Sequence, residues 1–187
     1  MTTMRATLTL ACSVAVACCL TVVAGGQNWT PGDKMPEFSA KGDDGKTYTL
    51  ASLTKKGPAV FYFIKSPCPT NEQALKYYIR IANAYKGAKV PFIGVINADL
   101  DGFKSWNAPF KVPFRVLLDP EEKIISAWKI RSSPSIVMVD KSGKVVQGWP
   151  AYSKAYLQQL NELIAKASGV QTKTCDFSGA PTNPRYG

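Results

Sequence analysis

The chain has 187 residues, 45% of them hydrophobic and 19% charged, which supports one buried core and excludes disorder as the default. It contains no histidine, so Cys–His and Ser–His dyads and His-based zinc sites are excluded; the residues call for no cofactor and no metal. The formal charge of +10 first suggests a nucleic-acid partner, but the lysines are scattered from Lys34 to Lys173 without a dense run. The expectation is a solvated basic surface that binds no nucleic acid, with anionic envelope surfaces as weak partners.

In chain order, a single basic residue, Arg5, precedes an apolar and small-residue run over 6–24 that ends in Val22-Val23-Ala24-Gly25-Gly26. That pattern predicts a signal peptide over 1–24, cleaved after Ala24, and therefore an exported, periplasmic or otherwise extracytoplasmic protein without stable membrane insertion after cleavage. An uncleaved anchor and a lipoprotein processed at Cys18 are the rival readings. Of five cysteines, Cys12, Cys18 and Cys19 lie in this leader, so only Cys68 and Cys175 remain, with a single intramolecular pairing open to them.

Asp44-Gly45 between Phe38-Ser39-Ala40 and Thr47-Tyr48-Thr49-Leu50 predicts a hairpin. The unbroken apolar run Ala59-Val60-Phe61-Tyr62-Phe63-Ile64 predicts a strand buried on both faces. A helix follows from near Pro69 to Gly87, with Leu75, Tyr78, Ile79, Ala82 and Tyr85 on one face. A second buried strand at 91–96, a short helix at 99–107, a short strand at 114–118 and a helix from Pro120 to Trp128 come next. Strands at 135–139 and 145–149 flank Asp140-Lys141-Ser142-Gly143-Lys144 as another hairpin. Ser153 caps a last helix with Leu157, Leu160, Ile164 and Ala167 as its stripe, and Gly169 stops it. A βαβ half followed by a ββα half implies an α/β sheet covered by helices on both faces. Residues 169–187 read as a flexible polar tail that holds Cys175.

Cys68 sits where the buried strand gives way to a helix, with Pro69 at the favoured first helical position. Unpaired N–H groups and the positive end of the helix dipole stabilise a thiolate there, and the thiolate is the nucleophile. Lys65, Arg115 and Arg131 are the candidate thiolate-stabilising cations, with Arg131 preferred for its position just before Pro134. Glu72 reads as a first-turn acid, and Trp106, Trp128 and Trp149 read as core or rim aromatics.

Residues 60–72, with Ser66-Pro67-Cys68-Pro69-Thr70-Asn71-Glu72, resemble the active-site strand and helix start of the redoxin and AhpC/TSA group in the thioredoxin superfamily. The stretch Ile130-Arg131-Ser132-Ser133-Pro134-Ser135-Ile136 resembles that group's cis-proline segment, and the likeness runs over residues 32–168. It implies a thioredoxin-like domain at 28–168 with an N-terminal β-hairpin extension, a cis Pro134 opposite Cys68, and a substrate-binding surface at Ser133, Pro134, Pro69 and Thr70. Two departures stand out. Asn71 occupies the second position of a Cys-x-x-Cys motif, and Phe61 and Lys65 occupy the places of the peroxiredoxin Pro and Thr/Ser.

The resemblance implies a thiol-dependent oxidoreductase or peroxidase, antioxidant in role, with Cys68 attacking a peroxide or a disulfide and an unidentified thiol as electron donor. The alternative is a non-catalytic binding or structural module. Cys175 is open to three uses: resolving oxidised Cys68, a permanent bond to Cys68, or a bond to another chain.

Overall fold

A computed structural model describes residues 29–187. The predicted leader and its cleavage site after Ala24 lie outside the described residues.

All six residues of Ala59–Ile64 (β3) are buried, because this strand is the middle of a five-stranded sheet. It pairs in parallel with Phe92–Ile96 (β4), which pairs in parallel with Arg115–Leu118 (β5). On its other side β3 pairs antiparallel with Ser135–Val139 (β6), followed by Val145–Trp149 (β7). Numbering the remaining elements in chain order, β1 is Ser39–Lys41 and β2 is Thr47–Thr49, the expected hairpin. The helices are α1 (Leu50–Thr54), α2 (Pro69–Ala84), α3 (Leu100–Asn107), α4 (Lys123–Ala127) and α5 (Lys154–Ser168).

Side chains of β3 alternate between two cores, as a strand must. Val60, Tyr62 and Ile64 join α2, α3 and α5, with Leu75, Tyr78, Phe103, Leu157 and Leu160. Ala59, Phe61 and Phe63 face α1 and α4, where Phe61 packs edge-on against Trp128 with centroids 4.9 Å apart. Trp106, Trp128 and Trp149 are all buried, as expected of core aromatics. Thioredoxin-like α/β architecture with an N-terminal hairpin is therefore what the chain forms.

The helix ends explain where sequence reading held and where it slipped. Ser153 accepts a hydrogen bond from Tyr156 N at α5, and Gly169 closes that helix at φ +69°. Leu50–Thr54 forms a short helix that the hairpin signal concealed; it is held by a Thr49–Ser52 capping box. The helix expected from Pro120 begins instead at Lys123. Asp119, buried, accepts from Lys123 N (2.8 Å), Ile124 N (3.0 Å) and Ile125 N (2.9 Å), so the cap lies four residues ahead of the helix. Replacing Asp119 with alanine orphans these donors and should cost about 1–2 kcal/mol in urea unfolding; unchanged stability would mean water replaces the carboxylate.

The segment after α5 has neither helix nor strand, yet it packs along the body rather than trailing free. Phe177 enters the α2–α5 core, Tyr77 Oη donates to Ser178 O at 3.1 Å, and Arg80 pairs with Asp176 at 3.0 Å. Its hold is mostly through the main chain, which leaves no periodic pattern in the sequence.

Candidate active site

Cys68 is the N-cap of α2, in extended conformation (φ −149°, ψ 105°), with Pro69 at the first helical position and Glu72 in the first turn. Its own side chain makes no cap bond; Cys68 O instead accepts from Glu72 N at 3.2 Å. The helix start thus points unpaired N–H groups towards the sulfur's end of the sheet. The residue is buried, 8% exposed.

The loop before β6 faces it. The Ser133–Pro134 peptide is cis, and so is Ser66–Pro67, just ahead of Cys68. Cys68 Sγ–H donates to Ser133 O at 3.8 Å, a bond that spans the two loops. Ser133 is buried and accepts at Oγ from Lys65 N at 3.2 Å. Thus Cys68, Ser133 and Pro134 come together, with half-buried Thr70 and exposed Pro69 at the rim.

Asn71 underpins this arrangement, and sequence reading saw it only as a missing cysteine. It is 1% exposed. Its Nδ2 donates to Phe63 O at 3.1 Å and to Ser133 Oγ, and its Oδ1 accepts from Tyr62 Oη. One side chain therefore ties β3, α2 and the cis-proline loop together. Burial, helped by Tyr78 and then Cys68, holds the Tyr62 phenol well above its ordinary range, so it stays protonated and able to donate.

The three candidate cations differ in exposure and pairing. Arg131 is exposed, and Arg115 is engaged by Asp43 and, at 3.1 Å, by Asp44 of the N-terminal hairpin. Lys65 is half-buried, with its backbone N–H given to Ser133. Among the described residues no cluster of His, Cys, Asp and Glu could hold a metal ion.

Cys68 and Cys175 are both free thiols. Cys175 Sγ–H donates to Asn161 Oδ1 at 3.8 Å, and Asn161 O accepts from Tyr85 Oη at 3.0 Å. Tyr85 is the C-cap of α2 and Cys68 its N-cap, so the thiols lie towards opposite ends of a 16-residue helix, on the order of 20 Å apart. Burial pushes the Cys175 thiol up, with Arg80 partly opposing it. Its alkylation by iodoacetamide should therefore rise only above the ordinary thiol range, in the alkaline direction; a rate already maximal near neutrality would show an exposed, mobile Cys175.

Comparison with known proteins agrees with this geometry. The AhpC/TSA family model matches residues 31–147. Thiol-disulfide oxidoreductase ResA of Bacillus subtilis is 26% identical over 145 residues, covering 75% of this chain and 78% of that protein. Peroxiredoxin Bcp of the same organism is 22% identical over 130 residues, covering 63% of this chain and 83% of its own. The crystal structure of the exposed lipoprotein thioredoxin of Streptococcus pneumoniae superposes with a TM-score of 0.57 at 28% identity, covering 68% of this chain and 99% of that one. With Cys68 at a helix start, a cis-proline loop across from it and a family match over more than half its length, the chain belongs to the AhpC/TSA family and carries the thioredoxin-like fold of thiol-disulfide oxidoreductases and peroxiredoxins.

Proposed function

We propose that this protein is an extracytoplasmic thiol oxidoreductase in which Cys68 attacks a disulfide. The supporting observation is the apposition of Cys68, at a helix N-terminus, with the Ser133–Pro134 cis peptide. That loop offers Ser133 N–H and C=O beside the sulfur, a surface suited to a polypeptide disulfide. A peroxide is the weaker fit: Phe61, at the place of the peroxiredoxin proline, is buried in the core on the α1–α4 face, and Lys65 supplies no hydroxyl.

In the exchange, the Cys68 thiolate attacks one sulfur of R–S–S–R′. The Cys68–S–S–R bond forms as the S–S bond breaks, and R′S⁻ leaves and takes a proton. Asn71 offers no second thiol, so a donor thiolate attacks the Cys68 sulfur and expels RS⁻. A second donor thiol then releases Cys68, leaving the donor as its disulfide; two electrons pass from donor to substrate. Cys175 can act as the resolving thiol only if its segment leaves α2 and α5. Arg131, exposed three residues before Pro134, is the cation offered to the thiolate.

The leader composition supports export, with processing after Ala24 and a working domain at 28–168. The relatives named oxidoreductase and peroxiredoxin support the chemistry. Burial of Cys68 favours one second reading, a non-catalytic binding module with a silent thiol. Stopped-flow mixing of the reduced protein with a peptide disulfide and, separately, with hydrogen peroxide decides among them. A disulfide reaction faster than the peroxide one is expected; the reverse order indicates a peroxidase, and no reaction with either indicates the module.

A further inference from the structure

The last residues of the sequence lie on the active-site loop. Gly187 N donates to Ser133 O at 2.8 Å, and Ser133 N donates to Gly187 O at 3.2 Å. Two residues earlier, Arg185 N donates to Tyr152 O at 2.9 Å and Tyr152 N donates to Arg185 O at 3.0 Å. Each reciprocal pair has the bonding pattern of an antiparallel strand addition, one made to Tyr152 beyond β7 and the other to Ser133, the residue just before the cis proline.

The position of Gly187 is informative. A Cβ built on it would stand 2.8 Å from Cys68 Sγ and 3.3 Å from Thr70 Oγ1. As a non-bonded contact, 2.8 Å is a clash, and glycine avoids it. It is close to the separation of about 3 Å between one sulfur of a disulfide and the Cβ of the partner cysteine, set by an S–S bond of about 2.05 Å. Gly187 therefore stands where the cysteine of a polypeptide joined to Cys68 would stand.

We propose that residues 185–187 are an internal occupant of a polypeptide-binding site made by Ser133, Cys68 and Thr70, and that a cysteine-bearing strand must displace them to reach the thiol. The ligand class is an extended polypeptide that pairs with Ser133 through its main chain and carries its cysteine at the Gly187 position. This deepens the proposed function and rests on Cys68 as its nucleophile.

The occupant is built to leave. Residues 182–187 are all exposed, so no side chain buried in the core goes with them. Arg185 and Gly187 are held by the main-chain bonds above, and a cavity of about 270 Å³ lined by Glu72, Lys76, Tyr77, Tyr152 and Arg185 lies beside the segment. The firm anchors, Phe177 and the Arg80–Asp176 pair, lie upstream and can stay in place during release.

Two measurements in a Cys175→Ser background test this, and neither requires turnover. In the first, Gly187→Cys is treated with oxidised glutathione. The introduced thiol and Cys68 should lose two protons and two electrons to the glutathione disulfide, giving an intramolecular bond, a mass lower by two hydrogens and two glutathione thiols. Separate glutathionylation of both thiols would show that position 187 does not sit on Cys68 and would overturn the proposal. In the second, deletion of residues 185–187 should raise the rate of Cys68 alkylation by iodoacetamide by about tenfold or more. An unchanged rate with a retained circular dichroism spectrum would equally overturn it. A protein that passes both tests yet reduces no disulfide would refute the proposed function and leave the occupied site standing.

Discussion

Cys68→Ser should abolish disulfide turnover, by at least about 10⁴-fold, without weakening the fold. A serine hydroxyl at this place is far too weak an acid to supply an alkoxide at neutral pH, and with no histidine in the chain there is no imidazole base to activate it. The fold should not suffer, because Cys68 makes no side-chain cap bond and serine is among the preferred N-cap residues. Thermal unfolding should move by no more than about 2 °C, while the stopped-flow phase with a peptide disulfide disappears. Cys175→Ser is the contrast, because its sulfur lies towards the far end of α2 and should leave the first exchange phase intact. Turnover surviving in Cys68→Ser would remove Cys68 from the nucleophile's role and transfer attention to Cys175.

Most of the scaffold behind that expectation is legible in the sequence, for reasons that can be traced to particular residues. The run from Ala59 to Ile64 is apolar without interruption because both faces of β3 are covered. Ser153 and Gly169 mark the ends of α5 because their partners lie within four residues. Where the partner is remote, the signal fades. Asp119 holds α4 from outside the helix, which moves its start past Pro120. Cys68 and Pro134 are legible through their local motifs, and the structure brings them together. The docking of residues 176–187 is not legible, since hydrogen bonds from Ser133 and Tyr152 to main-chain atoms impose no pattern on side chains. Asp176 and Phe177 are isolated side-chain anchors without periodicity, and the glycine at position 187 is uninformative until Cys68 is seen beside it. Asn71 is hidden for the opposite reason. A motif comparison reports what it replaces and says nothing of what it holds.

What Asn71 holds leads to the second large effect, on stability rather than chemistry. Asn71→Ala should cost about 2–4 kcal/mol. Removal of the amide takes a donor from Phe63 O and Ser133 Oγ and an acceptor from Tyr62 Oη. These atoms keep the bonds from Ser133 Oγ to Phe63 O (3.4 Å), from Lys65 N to Ser133 Oγ (3.2 Å) and from Tyr62 Oη to Asn71 O (3.3 Å). In a domain of this size that loss corresponds to about 5–15 °C in the thermal midpoint. A cavity left by alanine would also lower stability, so a second variant separates packing from hydrogen bonding. Asn71→Asp keeps the volume and the acceptor for Tyr62 but replaces the donating amide with a carboxylate facing the Phe63 carbonyl oxygen. Burial without a cation raises the folded-state pKa of such a carboxyl above its unfolded value. The folded state then binds the proton more tightly, so the variant's deficit is greatest above the folded pKa and shrinks as pH falls and the acid becomes a donor again. Urea unfolding of both variants across the acid range should show this pH-dependent recovery for Asn71→Asp and none for Asn71→Ala. If the two deficits run parallel with pH, Asn71 contributes bulk alone, and the cis-proline loop is held against Cys68 by the Lys65 N–Ser133 Oγ bond and the packing of β6.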